Sequence, residues 1–136
     1  MQTLAAERLA SFLARAAMTP FDWGTWDCSL WLADWLVENG YADPAGHLRG
    51  RYDTALSCAR LLRAEGGLMA VVSDCAMRAA LARTYSPGAG AVGVVEAMTN
   101  DGRALVGALC TGPRWAVLTH GGIMVWPAAP IIAWEV

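Results

Sequence analysis

The hydrophobic period of this chain changes once, and the change falls at the turn-forming stretch SPGAG, residues 86–90. Before it, apolar residues recur at helical spacing. After it, they come in short, β-branched runs. Residues 4–17 carry Leu4, Leu9, Phe12 and Leu13 on one helical stripe, which Pro20 stops. A second helix is expected from Cys28 to Asn39, ended by Gly40. YADPAGHLRGRY, residues 41–52, reads as a loop, and a third helix is expected from an Asp53 cap to Gly66–Gly67. A fourth helical segment covers 68–82. Beyond SPGAG, AVGVVEAM and RALVGALC flank TNDG at 99–102, a hairpin signal. WAVLTH, GGIMVW and IIAWEV then complete a meander. Helices first and antiparallel strands after them is the α+β pattern, with N-terminal helices packed on a C-terminal antiparallel sheet. No repeat or linker interrupts it, so 1–136 reads as a single domain.

Bulk properties narrow the function classes. The chain is 56% hydrophobic and 16% charged with a net charge of −2, and all ten of its basic residues are scattered arginines. That is a globular composition with no polyelectrolyte patch, so no nucleic-acid partner is expected. No apolar run reaches the roughly 18–20 residues of a membrane span. Glu7, Arg8 and Arg15 break the N-terminal apolar pattern, which reads as an amphipathic helix rather than a signal peptide. Synthesis and folding in a cytoplasm are expected. The four cysteines, Cys28, Cys58, Cys75 and Cys110, form no CxxC pair and no His sits at ligand spacing from them. Neither a metal site nor a cofactor is expected, nor a disulfide framework.

One stretch stands out. FDWGTWDCSL, residues 21–30, places Cys28 at a helix start behind Asp27, a good N-cap. A thiol there meets free backbone N–H groups and the positive end of the helix dipole, which lower a thiol pKa. Cys28, Leu32, Trp35 and Leu36 share a face that would meet the sheet. Gly24 permits close backbone approach, and Trp23 and Trp26 are candidate cleft walls. A cysteine nucleophile needs this geometry plus a base. The alternative is a buried small residue at an ordinary capped helix start. Of the two histidines, His47 lies in the Pro/Gly loop and His120 at a strand end before Gly121–Gly122, so His120 is the candidate base.

PFDWGTWDCSLWLADWL, then LRGRYDTALSCARLLRAEGG, then the tail ALCTGPRWAVLTHGGIMVWP…IIAWEV, resembles a small phage- and prophage-associated family. That family is placed with the NlpC-like, papain-fold cell-wall peptidases. The resemblance implies a circularly permuted papain-like fold, with the Cys helix first and the base-bearing strands after it. It matches Asp27–Cys28 to the nucleophile motif. The family's His position falls near Arg103–Ala104–Leu105, where this chain has no His. Two functions follow. One is a tail-tip hydrolase of phage or phage-like particles, cutting a peptide bond in peptidoglycan with Cys28 and His120. The other is an inactive structural or assembly component of the tail tip that keeps the fold. Both imply other tail proteins as partners and a virion-tail location.

Overall fold

The computed structural model describes residues 3–99 and 102–136. Four helices come first: α1 Leu4–Met18, α2 Leu30–Glu38, α3 Ala55–Ala64 and α4 Leu68–Arg78. Five strands follow: β1 Val92–Thr99, β2 Gly102–Cys110, β3 Trp115–Thr119, β4 Gly122–Trp126 and β5 Ile132–Trp134. The architecture is α+β with one antiparallel sheet.

The element ends have local causes. The Thr3 hydroxyl accepts a hydrogen bond from the Ala6 amide and caps α1, whose buried stripe is Leu9, Phe12 and Ala16. At α3 the cap is Thr54 rather than Asp53, because Thr54 and Ser57 form a reciprocal capping box. Gly40 ends α2 at φ +92°, as the C′ position favours. The fourth helix stops at Arg78, short of the expected 82. Residues beyond it pair with the chain end instead: the Thr84 amide donates to Ala133 and the Glu135 amide to Ala82. That pairing covers the outer edge of β5 and takes backbone groups a longer helix would have used.

The sheet order is β4-β3-β2-β1-β5. Four strands form the expected meander, but β5 pairs with β1 on the far side rather than extending the meander past β4. β1 and β2 are in register from Val92–Leu109 to Thr99–Gly102. The turn residues 100 and 101 of the expected hairpin lie outside the described residues. Only residues 127–131 join β4 to β5 at opposite edges. Six fully extended Cα steps reach about 21 Å, barely the roughly 19 Å of four strand spacings in a flat sheet. Ala128 of this link is instead packed into a core with Val95, Ala108, Cys110, Val117 and Ala133. The sheet is therefore curled, and its concave face encloses a core without any helix.

The convex face carries the helices. Leu9 and Phe12 of α1 and Trp31, Leu32 and Trp35 of α2 pack on Val92, Leu109, Ala116, Leu118 and Trp134. The Trp35 indole also donates to the Gly90 carbonyl at 2.8 Å. A third cluster, Leu30, Ala33, Ala45, Leu48, Tyr52, Cys58 and Val71, fastens the 41–52 loop and α3–α4 to the other side of α2. One irregularity matters for the site. β2 and β3 pair only at Leu109–Ala116 and Cys110–Trp115. Past those pairs, the β1–β2 and β3–β4 pairs separate.

Candidate functional site

The segment before α2 is tightly folded. Asp22 and Trp26 exchange two backbone hydrogen bonds of 2.8 and 2.9 Å, closing a small loop. Gly24 within it sits at φ +85°, and a Cβ there would lie 2.0 Å from the Tyr52 carbonyl oxygen. Only glycine fits that approach, as the sequence suggests. Asp27 is fully buried, the one charged side chain so placed among the described residues. Its carboxylate accepts four hydrogen bonds. Oδ1 takes the Ser29 and Leu30 amides at 3.0 and 2.9 Å, while Oδ2 takes the Gly24 amide at 3.0 Å and the Tyr52 hydroxyl at 2.6 Å. A buried carboxylate is tolerable only with such a donor set. Asp27 thus caps the helix start, but the regular helix begins at Leu30, two residues after Cys28.

The 49–52 segment RGRY holds this loop from outside. The Arg49 guanidinium bridges Asp43 at 2.7 Å and Asp34 at 3.1 Å, and it donates to the Thr25 carbonyl at 3.2 Å. The Gly50 amide donates to Gly24 at 3.0 Å, and Tyr52 reaches Asp27. Burial and the Asp27 carboxylate push the Tyr52 hydroxyl well above its ordinary pKa, which keeps it a donor. Arg49 and Tyr52 are thus positioning residues that the sequence reading did not single out. Their only signal was the RGRY string, and no local rule says that a loop 20 residues downstream folds back onto the cysteine.

Cys28 opens onto a cavity of about 490 Å³. Its walls include Phe21, Trp23, Val106, Val117, Trp126 and His120. The structure therefore brings Cys28 and His120, 92 positions apart, to one cleft. The His120 ring lies 4.0 Å from the Phe21 ring centre and 5.6 Å from that of Trp23, held between aromatic rings. His47 is elsewhere: its Nε2 faces Asp74 at 3.9 Å in a polar groove with Glu65 and Arg78. Trp23 walls the cleft as expected. Trp26 does not, because its indole packs beside Phe12 toward a separate groove with Arg15 and Glu38.

The thiol itself departs from expectation. Burial first, then the Asp27 carboxylate and the Cys58 thiol, push Cys28 up from 9.0 to about 11. The helix-dipole reading predicts the opposite sign. It fails because the sulfur is desolvated and the capping group beside it is itself an anion. His120 is not among the principal groups acting on the thiol. Nor can Asp27 orient His120, since both of its oxygens are occupied. Cys58, Cys75 and Cys110 are free thiols also raised by burial.

Strand β2 passes directly over Cys28. A Cβ at Gly107 would lie 2.8 Å from the Leu32 side chain and 3.3 Å from the Cys28 carbonyl oxygen. Residues on one strand face recur every second position, so Leu105 is the next side chain on the Cys28 side. It sits opposite Glu96, a cleft residue that is paired with Arg103 at 3.0 Å. The β2 residue that lines the cleft with Cys28 is Val106, an apolar side chain that cannot serve as a base.

Among the described residues no helix is long and apolar enough to cross a membrane. A family model described as a domain of unknown function (DUF6950) matches residues 3–136. No curated protein and no solved structure matches the chain.

Proposed function

The chain belongs to the DUF6950 family, and we propose that it is an NlpC-like, papain-type module of a phage or phage-like tail tip that has kept the cleft as a structural or assembly site. The permuted order supports the papain-like reading: cysteine at a helix start, then antiparallel strands with the second crossing it at Gly107. The setting of the thiol carries the functional conclusion: Cys28 is half-buried behind a fully buried Asp27, and His120, the one imidazole in its cleft, is packed against the Phe21 and Trp23 rings. Burial and the Asp27 carboxylate push the thiol up, which favours its neutral form. A papain-type nucleophile needs a base free to take its proton, and the neighbouring Asp27 carboxylate is already engaged by four donors. Met98 and Met124, exposed in the lining of the cleft, supply apolar surface of the kind that marks an interface. Mass spectrometry of density-purified particles is expected to find the chain in fixed ratio to other tail proteins. Its confinement to the free protein of the lysate overturns the reading.

A second reading rests on one observation, that Cys28 and His120 line the same cavity. In it the chain is a cysteine hydrolase acting on a peptidoglycan peptide bond. His120 takes the thiol proton as the sulfur attacks the carbonyl carbon, and backbone N–H groups near Cys28 hold the oxyanion. Incubation with purified cell-wall sacculi separates the two. The structural module releases no peptide fragments. The hydrolase releases them, loses all release in Cys28→Ser, and loses about two orders of magnitude in His120→Ala.

A further inference from the structure

We propose that the outer edge of β4 is the interface through which the chain pairs with a second copy of itself, β4 against β4 in an antiparallel register centred on Met124. The hydrogen-bond alternation fixes which groups that edge offers. The Thr111 amide donates to the Arg114 carbonyl at 2.9 Å, closing the β2–β3 turn, while the Cys110 amide turns the other way, to Ala91 at 2.8 Å. Bonded and non-bonded pairs alternate along an antiparallel ladder, so Leu109–Ala116 is the next bonded pair and Ala116 faces β2. Val117 therefore faces β4 and bonds Met124. Ile123 and Val125, on either side of Met124, turn their N–H and C=O groups outward. Among the described residues no partner bonds these outward groups. The opposite edge of the sheet is covered, since residues 82–84 pair alongside β5. The β4 edge is bare. Ile123 packs on the cluster that holds Leu9 and Phe12 of α1, on the helix face, but Met124 and Val125 are 57% and 44% exposed. Nor does the strand carry the charge or proline with which edges resist pairing. No Asp, Glu, Lys or Arg occurs between Trp115 and Trp134, and Pro127 falls just past the strand end.

The strand is self-complementary, which selects a second copy as its occupant. In the register centred on Met124, Ile123 of one protomer faces Val125 of the partner subunit, and the reverse. Each such pair exchanges an N–H and a C=O in both directions, so every outward group of both strands is bonded across the dyad, as an isologous two-fold contact requires. Trp126 meets Gly122 of the partner subunit, where the absent side chain leaves room for an indole. Two uncharged strands also meet without like-charge repulsion. Five residues span about 17 Å, which is a small contact, below roughly 1,200 Å² in total, so a dissociation constant of about 10–100 µM is expected. Met124 also lines the Cys28 cleft, so pairing sets the two clefts side by side across the dyad.

The test is sedimentation velocity of the intact chain from about 5 to 500 µM, over which the wild type is expected to pass from monomer to dimer. Met124→Lys and Met124→Glu each place like charges directly opposite one another across the dyad. Each is expected to weaken pairing at least about tenfold and to sediment as monomer over most of that range. Mixed in equal amounts, the two variants are expected to dimerise again, because opposite charges then face each other. That rescue is specific to a register centred on residue 124. Hydrogen exchange on the wild type is expected to slow at the Ile123 and Val125 amides as concentration rises, with no change at the Met124 amide, which is bonded to β3. A wild type still monomeric at about 500 µM, a dimer that either substitution leaves intact, a mixture that stays monomeric, or unchanged exchange at both amides overturns the proposal. These readouts use the pure chain alone, so their failure leaves the tail-module reading standing.

Discussion

Tyr52→Phe removes a single atom from the loop that positions Cys28. The Tyr52 hydroxyl is one of four donors to the buried Asp27 carboxylate, at 2.6 Å. The ring stays in its cluster with Leu30, Leu48 and Cys58, so packing changes little. A hydrogen bond to a charged group contributes about 1.5–3 kcal/mol, and the oxygen it leaves cannot regain water at a fully buried site. Near the transition an unfolding entropy of about 2.1 cal/mol/K per residue turns each kcal/mol into roughly 3–4 °C for a chain of this length, so Tm is expected to fall by about 5–10 °C. Urea unfolding followed by tryptophan fluorescence measures the same loss with an unchanged slope. A double-mutant cycle with Asp27→Asn assigns it: in that background Tyr52→Phe is expected to cost almost nothing. A loss below about 0.5 kcal/mol in the wild-type background refutes the claim that Asp27 is held from the RGRY side.

Three further outcomes follow from the same geometry. Gly24→Ala puts a Cβ 2.0 Å from the Tyr52 carbonyl oxygen at φ +85°, and is expected to cost more than about 3 kcal/mol or to prevent folding, read by circular dichroism and solubility. Arg49→Lys keeps the charge but loses the planar fork that spans Asp34, Asp43 and the Thr25 carbonyl, and is expected to cost about 1–3 kcal/mol in urea unfolding. The folded Cys28 thiol holds its proton up to about 11 where the ordinary value is 9.0, so between those values the native state binds more protons than the unfolded one. Stability should therefore fall as pH rises from 9 to 11, by about 2–3 kcal/mol from this group. Cys28→Ala should lose less over that window in pH-dependent denaturant titrations.

The change of period at residues 86–90 was enough to read the α+β order, and single-residue signals such as Gly40 located helix ends within a few positions. What local rules missed came from distant partners. The fourth helix gives way at Arg78 because residues 82–84 pair with a strand 50 positions later. β5 joins β1 because the sheet curls, which no turn residue announces. At the site, Cys28, Gly24 and Trp23 were legible from one short string, while only the fold puts His120, rather than His47, in the same cleft. The sign of the thiol shift was not legible. A helix start favours a thiolate only where water or a cation reaches it, and burial beside Asp27 is a tertiary fact. The clamp from Arg49 and Tyr52 escaped for the same reason.

The protonation state of Cys28 separates a dormant cleft from a catalytic one, and its reaction with iodoacetamide reports that state. Labelling of the native protein is followed by mass spectrometry of the Cys28 peptide across a pH series. A buried thiol near 11 is expected to react slowly at neutral pH, with a rate that climbs about tenfold per pH unit into the alkaline range and no plateau before it. His120→Ala should leave that profile unchanged. Rapid labelling with a plateau below about pH 8, lost in His120→Ala, is the signature of a thiolate–imidazolium pair and contradicts the account.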